Sequence, residues 1–133
     1  MPVYLHGVGP LYWKSQLQTA TATLSKESEY YSAAVCAKVL VGFRQLCHSL
    51  GFTQDSSEIQ SDNQPALSSL KTKLSHYKSR HIKIQFHYVK DLILDGEVHF
   101  KYCLPEDMVA DLFTKALPVL QFERLTDILY NQL

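Results

Sequence analysis

An α/β domain with a mixed sheet is the fold class this sequence predicts, on two observations. Long stretches repeat their apolar residues at helical spacing, and short stretches between them alternate apolar with polar residues, as strands do. The two kinds interleave along the 133 residues in the order ββαβα(α)βαα, the arrangement of helices packed on a sheet.

Residues 3–5 and 11–14 are β-type runs around Gly7-Val8-Gly9-Pro10, which reads as a hairpin turn. Thr alternates with Ala over 19–23 and could prolong the second strand. Ser25 suits an N-cap, and Glu27 and Glu29 fall in the first turn, where the helix dipole favours acids. An apolar face follows at Ala33, Ala37, Leu40, Phe43, Cys47 and Leu50, with Gly51 as the stop. Tyr30 and Tyr31 begin this face and read as core. The stretch 58–62 is a short strand ending at Asp62, and 63 to about 70 a short helix. Ile82, Phe86, Val89 and Ile93 mark a helix over about 78–94, ended by Asp95-Gly96. Val98, Phe100 and Tyr102 alternate with polar residues as a half-buried strand. Leu104-Pro105-Glu106 breaks it. A helix is predicted from near Asp107 to Leu117, where Pro118 stops it, and a last amphipathic one carries Phe122, Leu125 and Leu129.

Composition narrows the function classes. With 46% hydrophobic residues the chain can build a core. No apolar run approaches the roughly 20 residues that span a bilayer. The N-terminus lacks a basic stretch followed by an apolar one, so neither a signal peptide nor a membrane partner is expected. Cys36, Cys47 and Cys103 are odd in number and show no CxxC spacing, which fits reduced thiols in cytosol or nucleus. No glycine-rich phosphate loop, Ser-His-Asp order or Cys–His pattern is present. His76, His81 and His87 are spaced so that they do not share a helix face, and no zinc site is read from them.

Net charge is zero, which argues against a strong polyanion binder, but the charges are unevenly placed. Lys71, Lys73, Lys78, Arg80, Lys83 and Lys90 fall in one stretch with three histidines and no acid, while the rest of the chain carries all 13 acids. This stretch could face phosphate or could be an ordinary solvated helix face.

Three acids sit at comparable places: Glu29 in the first turn of a helix, Asp62 at the end of a strand, Asp111 in the first turn of another helix. Ligands of α/β sheets collect beyond the carboxyl ends of strands. Carboxylates converging there would suit Mg2+ or Mn2+. The plainer alternative is that Glu29 and Asp111 serve helix dipoles and Asp62 caps the next helix.

Five stretches carry a family resemblance. Trp13-Lys14-Ser15 and Leu24-Ser25-Lys26-Glu27-Ser28-Glu29-Tyr30 resemble the W-K-S and S-S-T-E-A-E-Y segments of copia-type retrotransposon ribonuclease H. Ser61-Asp62-Asn63-Gln64-Pro65-Ala66 is similar to its D-N-Q-S-A, and residues 80–90 to its K-H-I-D-I-R-Y-H-F-I-R. Residues 105–115 resemble T-E-D-Q-L-A-D-I-F-T-K. The set runs in order over nearly the whole chain.

The resemblance implies a ribonuclease H-like domain, with a core over about 3–117 and a C-terminal helix over about 120–133. It implies an endonuclease that cuts RNA in an RNA–DNA hybrid with two Mg2+ or Mn2+ ions. Glu29, Asp62 and Asp111 would be the second, third and fourth catalytic acids and metal ligands. Lys71, Lys73, Lys78, Arg80, His81 and Lys83 would meet the nucleic acid, recognised by backbone and groove shape. His81, matching the family's K-H-I, could equally be a structural hydrogen-bonding residue.

The family's first Asp has no counterpart, since no residue before Trp13 is acidic, and Gln16-Leu17-Gln18 replaces the basic K-K-Q. The implied fold is therefore truncated, with its first, central strand missing and two open sheet edges. Two function classes follow. One is a hybrid-specific ribonuclease completed by an upstream reverse transcriptase segment of the same polyprotein. The other is an inactive remnant able at most to bind nucleic acid weakly.

Overall fold

A computed structural model describes residues 2–7, 9–15, 25–71 and 80–131. Its elements are β1 (Pro2–Gly7), β2 (Gly9–Ser15), α1 (Ser25–Ser49), β3 (Ser57–Ser61), α2 (Gln64–Lys71), α3 (Arg80–Leu94), β4 (Val98–Tyr102), two short 3-10 helices (Pro105–Asp107 and Val109–Phe113) and α4 (Val119–Asn131). The chain is a mixed α/β protein, as the periodicities predict, but among the described residues its strands form two separate two-stranded sheets, not one mixed sheet. It divides into two compact units, Met1–Thr21 with Cys103–Leu133, and Ala22–Tyr102.

The larger unit, Ala22–Tyr102, packs α1, α2 and α3 with a two-stranded parallel sheet. β3 pairs with β4 in the register Ser57↔Val98, Ile59↔Phe100 and Ser61↔Tyr102. One cluster is built from Tyr30, Ala34, Ala66, Leu70, Phe86 and Val89, and another from Ala37, Ile59 and Val98. Tyr30 and Phe86 meet edge to face, with ring centroids 5.4 Å apart. Both long helices end as their glycines require. Gly51 and Gly96 have φ of 85° and 72°. The next amide in each case reaches back five residues, Phe52 N to Cys47 O at 2.9 Å and Glu97 N to Leu92 O at 3.0 Å. This is the Schellman arrangement, in which a left-handed residue lets the last carbonyls find partners.

In the other unit, β1 and β2 form an antiparallel hairpin that closes at Gly7 and Gly9, with a register shift between Leu5 and His6. Val109, Leu125 and Leu129 are its buried cluster, with Leu112, Phe113, Leu117 and Ile128 packed against them.

Several expectations need correction. The predicted helix from Asp107 to Leu117 is instead the two 3-10 helices, separated by Met108 in an extended conformation (φ −73°, ψ 94°). Pro105 opens the first turn, and burial of the Met108 side chain takes precedence over a continuous ladder. The buried face of α1 runs through Tyr30, Ala34 and Ala37, while Leu50, beyond the helix end, is 66% exposed. Phe122 of α4 is also more than half exposed, although Leu125 and Leu129 are buried as predicted. The expected cap at Ser25 adjoins residues 16–24, which lie outside the described residues. The extension over 19–23, the start of the second long helix at 78–79 and the final residues of the last helix lie outside the described residues.

Candidate nucleic-acid interface and acidic residues

The tip of β3 leads directly into α2, and the connecting pair divides its work. Asn63 Oδ1 accepts the Ala66 backbone N–H at 2.9 Å, and Asn63 N donates to Ser61 Oγ at 3.2 Å. The cap of α2 is therefore Asn63, correcting the plainer alternative that Asp62 serves it. Asp62 stands half-buried at the carboxyl end of β3. Glu29 is half-buried on α1 beside the fully buried Tyr30.

Asp111 belongs to the other unit. It is buried in the second 3-10 helix, and its Oδ2 accepts a hydrogen bond from Lys115 Nζ at 2.9 Å. Within neither unit do three or more His, Cys, Asp or Glu side chains, among the described residues, group so that they could hold a metal ion. Glu29 and Asp62 lie in the larger unit and Asp111 in the other.

The basic stretch falls partly on α3. Arg80 and Lys83 are exposed and one turn apart, so they share a side of the helix, with Ile84 and His87 exposed beside them. Lys90 lies two turns beyond Lys83, its Nζ 5.3 Å from the centre of the Phe86 ring. Lys73 and Lys78 lie outside the described residues, as do the side chains of Lys71 and His81.

Two polar groupings go beyond the sequence expectations. Arg44 of α1, with its side chain 13% exposed, donates to Glu97 Oε2 at 2.8 Å, Ser57 Oγ at 2.7 Å, Gln54 O at 3.3 Å and Asp55 O. It ties the helix to the starts of both strands. On the sheet, Glu58 accepts from Gln60 Nε2 at 2.9 Å and lies 3.5 Å from Lys101 Nζ and 3.6 Å from His99 Nε2. The Gln60 hydrogen bond, helped by Lys101 and His99, holds the Glu58 carboxyl below its ordinary range. His99 Nδ1 in turn lies 3.0 Å from Ser56 Oγ. The acid–base alternation of Glu58, Gln60, His99 and Lys101 is visible in the sequence, but the parallel register that sets them side by side is not.

Comparison with known proteins adds to this geometry. The chain is 26% identical over 115 residues to the "Retrovirus-related Pol polyprotein from transposon TNT 1-94" of Nicotiana tabacum, a match covering 86% of this chain and 9% of that protein. The chain is similar to retrotransposon Pol polyproteins. Those of transposons RE2 and RE1 of Arabidopsis thaliana are 27% and 28% identical, over 93% and 91% of this chain and 8% of each of theirs. The chain thus spans less than a tenth of the length of these curated relatives. At the level of the Pol polyprotein the comparisons bear out the resemblance carried by the five motifs. No family model matches the chain, and no solved structure matches it. Among the described residues, no helix is long and apolar enough to cross a membrane.

Proposed function

We propose that this chain is a ribonuclease H-like segment of a retrotransposon Pol polyprotein that holds an RNA–DNA hybrid by its phosphate backbone and does not cut it alone. The observation that carries this is the exposed Arg80–Lys83 side of α3, within a stretch from 71 to 90 that contains six basic residues and no acid. Lysine and arginine on phosphates bind without reading sequence, by releasing counterions. A hybrid is then told from other duplexes by groove shape and the 2′-OH. Similarity to Pol polyproteins over most of the chain supports the same class of ligand. Within neither unit, among the described residues, do His, Cys, Asp or Glu side chains group so that they could hold a metal ion. Hydrolysis through Mg2+ or Mn2+ is therefore no part of the proposal.

The test is fluorescence anisotropy of a labelled RNA–DNA hybrid over a range of salt. Arg80→Glu with Lys83→Glu should weaken binding about tenfold or more and reduce the salt slope by about two. Unchanged affinity and slope would leave α3 with a merely solvated face. Cleavage of the hybrid by the chain in Mg2+ or Mn2+, abolished by Asp62→Asn, would overturn the non-cutting part.

A further inference from the structure

Asp111 is a buried acid. The residue is 8% exposed and sits in the turn that supplies Val109 to the cluster with Leu125 and Leu129. A lone carboxylate there is costly to keep ionised. The chain answers this locally. Thr114 N and Lys115 N both donate to the Asp111 carbonyl, at 3.1 and 3.0 Å, so the backbone turns back on itself there. That turn carries the Lys115 stem over the carboxylate, and Nζ meets Oδ2 at 2.9 Å while the lysine side chain stays 56% exposed. The ammonium keeps contact with water, and the carboxylate gains a full positive charge at hydrogen-bonding distance.

We infer that Asp111 is a structural ion-pair anchor, with Lys115 as its built-in counter-ion, and that it is not a divalent-metal ligand in this chain. A metal ion taking Oδ2 would have to displace the ammonium hydrogen-bonded to it, against the repulsion between the two cations. The role differs from the one the family resemblance implies, and it holds whether or not the chain binds a hybrid.

Thermal unfolding of the whole chain, with Mn2+ titration by calorimetry, tests it. The variants are Lys115→Met, Asp111→Asn and the two combined. The wild type should give no Mn2+ isotherm, and its Tm should move by less than about 1 °C in millimolar ion. Lys115→Met strands a buried charge and should lower Tm by about 10 °C. The double variant, with no charge left to strand, should recover most of that loss. Two results would overturn the inference: a wild-type Mn2+ isotherm that disappears in Asp111→Asn, or a double variant no more stable than Lys115→Met. Should Lys115→Met fail to fold, the wild-type titration and the double variant decide. Absence of Mn2+ binding with a folded double variant supports the anchor. Mn2+ binding lost in Asp111→Asn, or a double variant that also fails to fold, refutes it.

Discussion

Replacing Arg44 with Met tests whether one side chain ties α1 to the start of the parallel sheet. Methionine keeps most of the stem and removes the guanidinium, so the change isolates the polar contacts. Four partners are lost: Glu97, Ser57 and the carbonyls of Gln54 and Asp55. Glu97 has a side chain 46% exposed, so solvent screens its Coulombic share to under about 1 kcal/mol. The Gln54 and Asp55 carbonyls are exposed and return to water at little cost. Ser57 Oγ is part-buried, and its hydrogen bond to a charged donor contributes about 1.5 kcal/mol. The sum is about 1.5–2.5 kcal/mol, or a fall of about 5–8 °C in Tm for a chain of this size. Circular dichroism melting, with a urea titration to check that m is unchanged, measures it. Glu97→Gln should cost less than half as much. A shift under about 2 °C in Arg44→Met would show that the sheet ends are held by backbone pairing alone.

Other outcomes follow from burial and charge. Leu125, fully buried in α4, should cost about 3–4 kcal/mol when cut to Ala, read as a lower denaturation midpoint. Glu58 has a folded carboxyl held below its ordinary value, so its stabilisation is present above the unfolded value and fades as pH falls through the folded one. Glu58→Gln should therefore flatten the loss of stability between about pH 5 and 3, and an unchanged slope would contradict the Gln60–Glu58–Lys101 geometry. Burial pushes the Cys36 thiol up to about 11. At pH 8 it should react with a thiol reagent more slowly than Cys47 or Cys103 until the chain is unfolded.

The parts of this fold legible in the sequence are those whose cause is local. Gly51 and Gly96 announce helix ends because a residue without Cβ is what a left-handed C-cap needs. Phe86, Val89 and Ile93 mark α3 because packing on one side imposes the helical period. The stretch 105–117 misleads, since its composition suits a helix while Met108 is held extended by its place in the core. At the candidate site, the placement of Asp62 after a strand is readable, but the division of labour with Asn63 depends on side-chain rotamers. The spacing of Asp111 and Lys115 suggests a pair. Burial alone makes that pair matter, and burial is set by residues of α4. Arg44 meets Glu97 across 53 positions, a distance no local pattern encodes.

The parallel pairing of β3 with β4 has a consequence in time. Ser57 and Val98 are register partners 41 positions apart. Closing such a segment costs on the order of 3 kcal/mol of chain entropy before any ladder bond forms. On a ribosome adding about 5–20 residues per second, β3 emerges roughly 2–8 s before its partner strand does. Throughout that interval the nascent chain carries Ile59 without Val98 to cover it, and β3 without the strand beside it. The larger unit therefore completes its sheet only when β4 clears the exit tunnel.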